Sequence, residues 1–263
     1  MTPELAKEQE KPVEGLPVVA VQPVGHAGMR KEKSFDKEAW HPRTALGKKV
    51  KAGEITQIDE ILDKGMRMME SEIVDMLLSN VSIDLLAVGQ SKGKFGGGKR
   101  SIWRQTQKKT NEGNKPKFSA LAVAGNKNGY VGIGLGKAKE TVPAREKATR
   151  KAKINIIKVR RGCGSWECGC GTPHSIPFKV EGRCGSVTMQ LIPAPRGTNL
   201  CVEKECSKIL ELAGIKDIYS QTFGHTTTKV NLIKACVDAL VKLSQVKVHQ
   251  GYLKTTGIKE GAL

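Results

Sequence analysis

Cysteine and histidine side chains that could bind a metal are concentrated in one glycine-rich segment of the chain. Cys163, Cys168, Cys170 and His174 fall within twelve residues, and Cys184 follows nearby. Thiolate and imidazole ligands in this number could complete a tetrahedral zinc site. The C-x4-C-x-C-x3-H spacing is not a common zinc-finger arrangement, however, and reduced buried thiols are frequent in intracellular proteins. Two interpretations stay open: structural zinc at these four residues, or no required cofactor.

The segment 131–138 is rich in glycine and resembles a nucleotide-binding loop, but its spacing excludes that function. A P-loop needs a glycine where Val131 stands and a hydroxyl residue where Ala138 stands. The dinucleotide-binding pattern also fails, because the third glycine comes one residue early. His174 and His225 have no obvious serine, cysteine or carboxylate arrangement around them for catalysis. The sequence therefore predicts a protein that is not an enzyme.

Most of the positive charge of the chain lies in two stretches. Residues 91–117 contain nine lysines and arginines against one glutamate, and residues 137–161 contain ten against two, which together give +16 of the formal +18. Because cations that neutralise phosphates release condensed counterions, so local an excess predicts a polyanionic partner. The first stretch is laced with glycine and predicts a flexible loop, whereas the second is rich in alanine and predicts a helix.

The composition also restricts the class of protein. Aromatic residues make up only 4% of the chain, so bases have few rings on which to stack, and binding by backbone charge and shape fits better. No apolar run approaches the length of a membrane span, and the acidic N-terminus lacks a signal core. Seven cysteines, an odd number, favour a reducing compartment. We therefore expect a soluble, cytoplasmic protein with no membrane partner.

Hydrophobic periodicity predicts two α+β units. In the first, a helical region precedes three strands, at 83–88, 118–124 and 130–135, and a basic helix begins near Pro143. The alanine stripe of that helix is expected to cover the sheet face formed by Val131, Ile133 and Leu135. The second unit begins after Gly162 and contains strands and two amphipathic helices.

Four segments, at 125–140, 158–162, 182–187 and 191–197, closely resemble the universal small-subunit ribosomal protein five family. They read GNKNGYVGIGLGKAKE, KVRRG, GRCGSV and LIPAPRG, and they occur in the family's order and spacing. The similarity extends from about Trp40 to Leu243. The segment RGCGSWECGC at 161–170 resembles the archaeal branch of this family, since the usual eukaryotic relatives lack these cysteines.

The resemblance implies a fold and a set of boundaries. A double-stranded-RNA-binding-like α-β-β-β-α domain is expected at 56–162, followed by the α/β second domain of ribosomal protein five at 163–245. An N-terminal extension at 1–55 and a basic tail at 246–263 would flank them. The insertion at 92–99 and the segment 108–117 are longer than the usual loop of the family.

The resemblance also implies a function. The protein would be a structural constituent of the ribosome that binds small-subunit rRNA where head meets body and touches ribosomal proteins four and eight. It would influence translational accuracy and border the path by which mRNA enters. The alternative is a free regulator that binds double-stranded RNA, which leaves the second domain without a task. The fold of that domain also occurs in small-molecule kinases, but residues 163–245 contain no loop for holding phosphates.

The predicted rRNA contacts share a positive charge and a place in the glycine loop, at the start of the basic helix or in a family motif. They are Lys92, Lys94, Lys99, Arg100, Arg104, Lys137, Lys139, Arg160, Arg161, Arg183 and Arg196. Lys137 and Lys139 immediately precede a helix whose free amide groups and dipole already favour a phosphate.

Overall fold

The computed structural model describes residues 37, 39–78, 80–91 and 98–261. The helices are α1 (Ala45–Ala52), α2 (Ile58–Asp63), α3 (Glu72–Leu77), α4 (Thr141–Ile154), α5 (Lys204–Leu212), α6 (Lys229–Gln245) and α7 (Gln250–Thr255). The strands are β1 (Ser82–Leu86), β2 (Arg104–Thr110), β3 (Gly113–Gly125), β4 (Tyr130–Ala138), β5 (Ile156–Lys158), β6 (Arg160–Arg161), β7 (Val180–Cys184), β8 (Val187–Pro193), β9 (Leu200–Cys201), β10 (Ile218–Phe223) and β11 (Lys259–Glu260). Among the described helices, none is long and apolar enough to cross a membrane.

The strands form two main sheets, which confirms the predicted two-part α+β fold. The first sheet has the order β1-β3-β4-β5, with β2 added to β3, and each of its pairs is antiparallel. The second has the order β7-β8-β10-β9, in which the short β9 runs parallel to β10. A third pairing joins β11 to β6.

Helix α4 packs on the glycine-bearing face of the first sheet. A Cβ atom added to Gly134 would lie 2.2 Å from the Ala152 nitrogen and 2.3 Å from the Ala148 oxygen. Alternate alanines of β3, represented by Ala122, complete a buried cluster with Ala148 and Ala152. Because only hydrogen and methyl groups separate them, the helix backbone rests almost directly on the sheet backbone.

The opposite face of this sheet packs on the second domain, so the prediction that α4 covers it is wrong. Val131 and Leu121 belong to one large core cluster that also contains Ile209 of α5 and Met189 of β8. Large side chains hold two layers farther apart than glycine and alanine do, so the alanine stripe fits the glycine face and not the branched one. The two domains therefore share a core.

The N-terminal boundary predicted at residue 55 is also wrong. Trp40 and Val50 are buried in a helical cluster with Ile58 and Ile73. Thr44 caps the N-terminus of helix α1, and its hydroxyl accepts a hydrogen bond from the Gly47 amide at 3.0 Å. The folded part of the chain thus includes 40–55, which sequence periodicity missed because the apolar residues there are few. The rest of the predicted extension lies outside the described residues, apart from residues 37 and 39.

The C-terminal segment folds back onto the body of the protein and does not form a separate tail. Lys259 pairs with Arg161 and Glu260 with Arg160 in the two-stranded sheet of β11 and β6. The polar composition of 246–263 hid this pairing, because so short a strand carries no hydrophobic alternation.

Residues 104–117 of the basic stretch form an extended hairpin with the rest of β3, where the sequence predicted a flexible loop; residues 92–97 lie outside the described residues. Strands β2 and β3 pair from Arg104 opposite Ser119 to Thr110 opposite Gly113, where Gly113 adopts a φ of 111°. The burial pattern of β2 shows almost every side chain exposed. A strand with water on both faces has no apolar alternation, so hydrophobic periodicity could not predict it.

Candidate nucleic-acid interface

A row of cations occupies one face of the hairpin β2–β3 and the adjoining end of β4. Arg104 lies opposite Ser119, which lies opposite Lys137, while Lys108 lies opposite Lys115. Directly opposed residues of antiparallel strands project to the same face, as do residues two apart along one strand. We call this set the hairpin row; it comprises Arg104, Lys108, Lys115, Lys117 and Lys137, all of them exposed.

The hairpin row continues the apolar face that covers the second domain. Along β4 the face reads Val131, Ile133, Leu135 and then Lys137, so the side chains change from apolar to cationic where the core ends. Within the row, Lys115 forms an ion pair with the exposed Glu112, at 2.6 Å between nitrogen and oxygen. The hairpin therefore extends past the core and presents positive charge to solvent.

A groove of about 600 Å³ lies where this hairpin meets the second domain. Arg100 and Arg104 line one side, and the first residues of α6, Thr228 and Lys229, line the other. Thr228 makes no side-chain cap to α6, which leaves the first-turn amide groups and the positive end of the helix dipole facing the groove region. Lys229 is partly neutralised by Glu203, at 3.0 Å. The groove suits an anionic backbone.

Helix α4 presents a second basic surface on the side opposite its alanine stripe. Lys147, Arg150 and Lys151 are exposed there. Lys139 precedes the helix and is exposed as well, and no side-chain hydrogen bond caps the N-terminus of α4. A phosphate could bind there, at the free amide groups of the helix start. Lys137, which the sequence placed beside Lys139, is exposed but projects from the other face of the sheet, with the hairpin row.

Arg160 has a structural role that the sequence did not predict. It is 7% exposed, and its Nη1 and Nη2 atoms donate to the carbonyls of Leu243 and Ser244, each at 3.2 Å. A further bond from Nε to Glu260 Oε1 measures 2.6 Å. Because Leu243 and Ser244 belong to the last turn of α6, the guanidinium satisfies carbonyls that the helix leaves free.

Arg161 is buried more deeply, at 2% exposure. Its Nη2 donates to Asn128 Oδ1 at 3.0 Å and to the Gly261 carbonyl at 2.9 Å. Burial lowers the pKa of Arg161, and Tyr130 partly opposes this shift. Contact of Arg160 and Arg161 with rRNA stays a prediction, and the structure gives it no support, because both guanidinium groups are buried and bind carbonyl and side-chain oxygens of this protein.

The remaining predicted contacts are dispersed over the surface. Lys99 is exposed and Arg100 is half-buried near the hairpin. On the second domain, the exposed Arg183 donates from Nε to the Gly185 carbonyl at 3.2 Å, and the exposed Arg196 lines a pocket of about 700 Å³. Lys92 and Lys94 lie outside the described residues. Contact of any of these residues with rRNA stays a prediction.

The predicted metal ligands come together in space. The sulfur atoms of Cys163, Cys168 and Cys170 and a ring nitrogen of His174 all lie within 4.8 Å of one another. Burial, together with hydrogen bonds to the other two thiols, raises the pKa of Cys163 to about 11. Hydrogen bonds from Thr172 lower the pKa of Cys170 to about 6. Cys184 is not part of this group.

Asp217 contacts His174 of this cluster, and the sequence did not predict it. Its Oδ2 lies 2.8 Å from His174 Nδ1, and both side chains are buried. The two residues are 43 positions apart, so no local spacing could connect them. The sequence contains no pattern that identifies Asp217.

Two family models match the chain. The model described as "Ribosomal protein S5, N-terminal domain" matches residues 102–160, and the one described as "Ribosomal protein S5, C-terminal domain" matches residues 182–250. The match of the first covers the hairpin, β4 and α4, and that of the second covers most of the sheet and helices of the second domain.

Curated relatives are similar over most of their length. A protein of Nanoarchaeum equitans is 50% identical over 226 residues, which cover 86% of this chain and 97% of the relative. A protein of Methanobrevibacter smithii is 47% identical over 86% of this chain and 99% of the relative. One of Methanocaldococcus jannaschii is 44% identical over 86% and 98%. Each is named "Small ribosomal subunit protein uS5".

Proposed function

Because the chain belongs to the ribosomal protein S5 family, we propose that it binds small-subunit rRNA at the junction of head and body. It is an archaeal-type member of this family, a structural constituent of the small subunit and not an enzyme. The observation that carries this proposal is the hairpin row, in which exposed cations share one face beyond the edge of the core. A-form RNA is recognised mainly through its phosphates and shape, which such a row can follow.

The basic face of α4 supplies the second rRNA surface in this proposal. Lys147, Arg150 and Lys151 are exposed on a rigid helix, whereas the hairpin projects from the sheet. Two separate cationic surfaces would allow one protein to hold two segments of folded RNA in a fixed relation. Binding in this way positions RNA and requires no chemical step.

The open face of the second sheet is the proposed contact surface for ribosomal proteins four and eight. Helices α5 and α6 cover one face of this sheet, where Met189 and Leu191 are buried. On strand β10, Tyr219 and Phe223 project to the other, open face and are 40% and 46% exposed. Exposed aromatic residues among polar neighbours are typical of protein–protein contacts, so this face supports a protein partner better than an RNA one.

We propose that the groove between the hairpin and α6 borders the path by which mRNA enters. It combines Arg100, Arg104 and the free start of α6, and so it offers positive charge without base-specific contacts. A sequence-independent surface is what a path for any message requires. Through this surface and the rRNA junction the protein would influence translational accuracy.

Sedimentation of the full chain tests the scaffold against the alternative of a free regulator of double-stranded RNA. We expect the chain to migrate with small subunits through a sucrose gradient at moderate salt. A peak that stays at the top of the gradient would favour the free regulator. Subunits treated with ribonuclease under the same conditions should release the chain, and full retention after RNA digestion would contradict binding through rRNA.

Cross-linking distinguishes the proposed surfaces from one another. Lys108 and Lys147 lie on the two basic surfaces, and Tyr219 lies on the open sheet face. Photo-reactive side chains placed at the first two positions should cross-link rRNA of the head and body, and one placed at Tyr219 should cross-link ribosomal proteins four or eight. RNA cross-links from Tyr219 would contradict the assignment of that face to proteins.

A further inference from the structure

We propose that Cys163, Cys168, Cys170 and His174 bind one structural Zn²⁺ ion that holds the connector between the two domains against the second domain. Three thiolates and one imidazole are a ligand set found in structural zinc sites, which are closed and tetrahedral. The sequence predicts these four residues as candidate ligands, and the fold brings their ligand atoms together.

The distances fit a tetrahedral ion. Ligand atoms bound to one zinc at the usual Zn–S and Zn–N lengths lie about 3.5–3.8 Å apart. The Cys168 sulfur and His174 Nε2 are 3.8 Å apart, and all four ligand atoms lie within 4.8 Å of one another. A contraction of about 1 Å at most, in side chains of a loop, would therefore complete the site.

The hydrogen bond of His174 prepares its ring for a metal. Nδ1 lies 2.8 Å from Asp217 Oδ2, and a carboxylate can only accept in this bond, so Nδ1 carries the proton. In the neutral ring Nε2 then has a free lone pair, and this is the atom that faces Cys168. A carboxylate that orients a histidine in this way is the usual outer partner of a zinc ligand. We treat Asp217 as a positioning residue.

The cluster connects three parts of the chain that are distant in sequence. The Cys163 amide donates to the Thr256 carbonyl at 2.8 Å, which joins the connector to the C-terminal segment. The His174 carbonyl accepts from the Lys216 amide at 2.8 Å. Asp217 Oδ1 accepts from the amides of Gly197 and Asn199, at 3.0 and 2.9 Å. Zinc would thus also steady the loop that carries Arg196.

Metal analysis of the full chain tests the proposal. We expect mass spectrometry to find one zinc per wild-type chain and well under one per chain in Cys170→Ser. Cys170 is exposed, so this change leaves no buried cavity. Cys201→Ser is the matched control, because Cys201 is an exposed thiol outside the cluster and should leave the zinc content at one. Absence of zinc from the wild type, or equal zinc in both variants, would overturn the proposal.

Cobalt absorption and zinc affinity report on the ligands themselves and so test the site apart from any change in stability. Cobalt exchanged into the wild type should show the absorption of tetrahedral S₃N coordination, which Cys170→Ser should lose. Asp217→Asn keeps an oxygen for the Gly197 and Asn199 amides but loses the carboxylate that orients His174, so zinc affinity should fall roughly 10–100-fold. An unchanged affinity would refute the positioning role. A wild-type mass lower by two hydrogen atoms under denaturing conditions, mapped by peptide analysis to a disulfide among Cys163, Cys168 and Cys170, would overturn the zinc site.

Discussion

The two basic stretches of the chain have similar charge and different structural settings. In 91–117 most of the described cations, such as Lys108 and Lys117, stand exposed on the hairpin of β2 and β3. In 137–161 the charge is divided, because Lys147 and Lys151 face water whereas Arg160 and Arg161 are buried. Charge density thus predicts that a polyanion binds but does not identify which cations reach it.

The difference follows from what surrounds each cation along the chain. Arg160 and Arg161 stand between the buried Val159 and the close-packed Gly162, at the join of both domains with the C-terminal segment. Free carbonyls at the end of α6 are available there, and a buried acceptor without a donor is costly. The cations of the hairpin instead face water, on a strand whose side chains are almost all exposed.

The largest effect is expected from Gly134→Ala, in the strand that precedes the second basic stretch. The added methyl group would stand 2.2 Å from the Ala152 nitrogen and would force α4 off the sheet. We expect a loss of about 3 kcal/mol in the free energy of unfolding, measured with denaturant. Gly169→Ala is the control, because a Cβ there meets no atom within 4 Å. Equal stability of the two variants would show that α4 tolerates displacement.

Sequence alone predicted much of this region and failed at a definite point. The alternation of glycine with Val131, Ile133 and Leu135 correctly indicated a strand with two different faces. It could not tell which face receives α4, because that depends on the interlayer distance and on a second domain far along the chain. The alanine stripe and the glycine face are both narrow, and matching the two would have given the right answer.

A smaller loss is expected from Arg160→Ala. The change removes the donors to the Leu243 and Ser244 carbonyls and the partner of Glu260. Unsatisfied buried acceptors should lower the free energy of unfolding by about 2 kcal/mol. The salt dependence of RNA binding by the folded fraction should not change. Arg183→Ala, at an exposed site, should cost less than about 0.5 kcal/mol. A flatter salt dependence in Arg160→Ala would restore Arg160 as a phosphate contact.

The cysteine cluster shows the same limit of sequence reasoning at another site. The residue types and their closeness in sequence predicted Cys163, Cys168, Cys170 and His174 as a group, and the structure brings their ligand atoms together. Asp217 could not be predicted, since its place beside His174 depends on the path of the chain through α5. Local patterns identify ligands that neighbour one another in sequence, whereas the residues that orient them come from the tertiary fold.

Substitution of the hairpin lysines should weaken RNA binding and leave the free energy of unfolding nearly unchanged. In a variant with Lys108, Lys115 and Lys117 replaced by alanine, we expect affinity for small-subunit rRNA to fall about tenfold, and the salt slope to fall by roughly one for each lost phosphate contact. The matched control replaces Lys179, Lys234 and Lys247, exposed lysines away from the hairpin, with the same change in net charge. Equal effects of both variants would mean that only net charge matters.

The smallest effects are expected from two lysines within one turn of α4, one of which is buried in an ion pair and the other exposed to solvent. Lys153 forms an ion pair with Asp75 of α3 at 2.7 Å, and both side chains are mostly buried, whereas Lys151 is exposed. Lys153→Ala should lower the free energy of unfolding by about 1 kcal/mol without a change in RNA affinity. Lys151→Ala should lower RNA affinity severalfold, the size of one phosphate contact, at constant stability.

The pair is informative because the two lysines share a helix, a local sequence and a net charge. Any effect of overall charge or of helix propensity is therefore the same in both variants, and only the surroundings of each ammonium group differ. If Lys153→Ala weakened RNA binding as much as Lys151→Ala, the ion pair with Asp75 would have to open when RNA binds. The division between structural and RNA-binding cations would then depend on the partner and could not be read from the free protein.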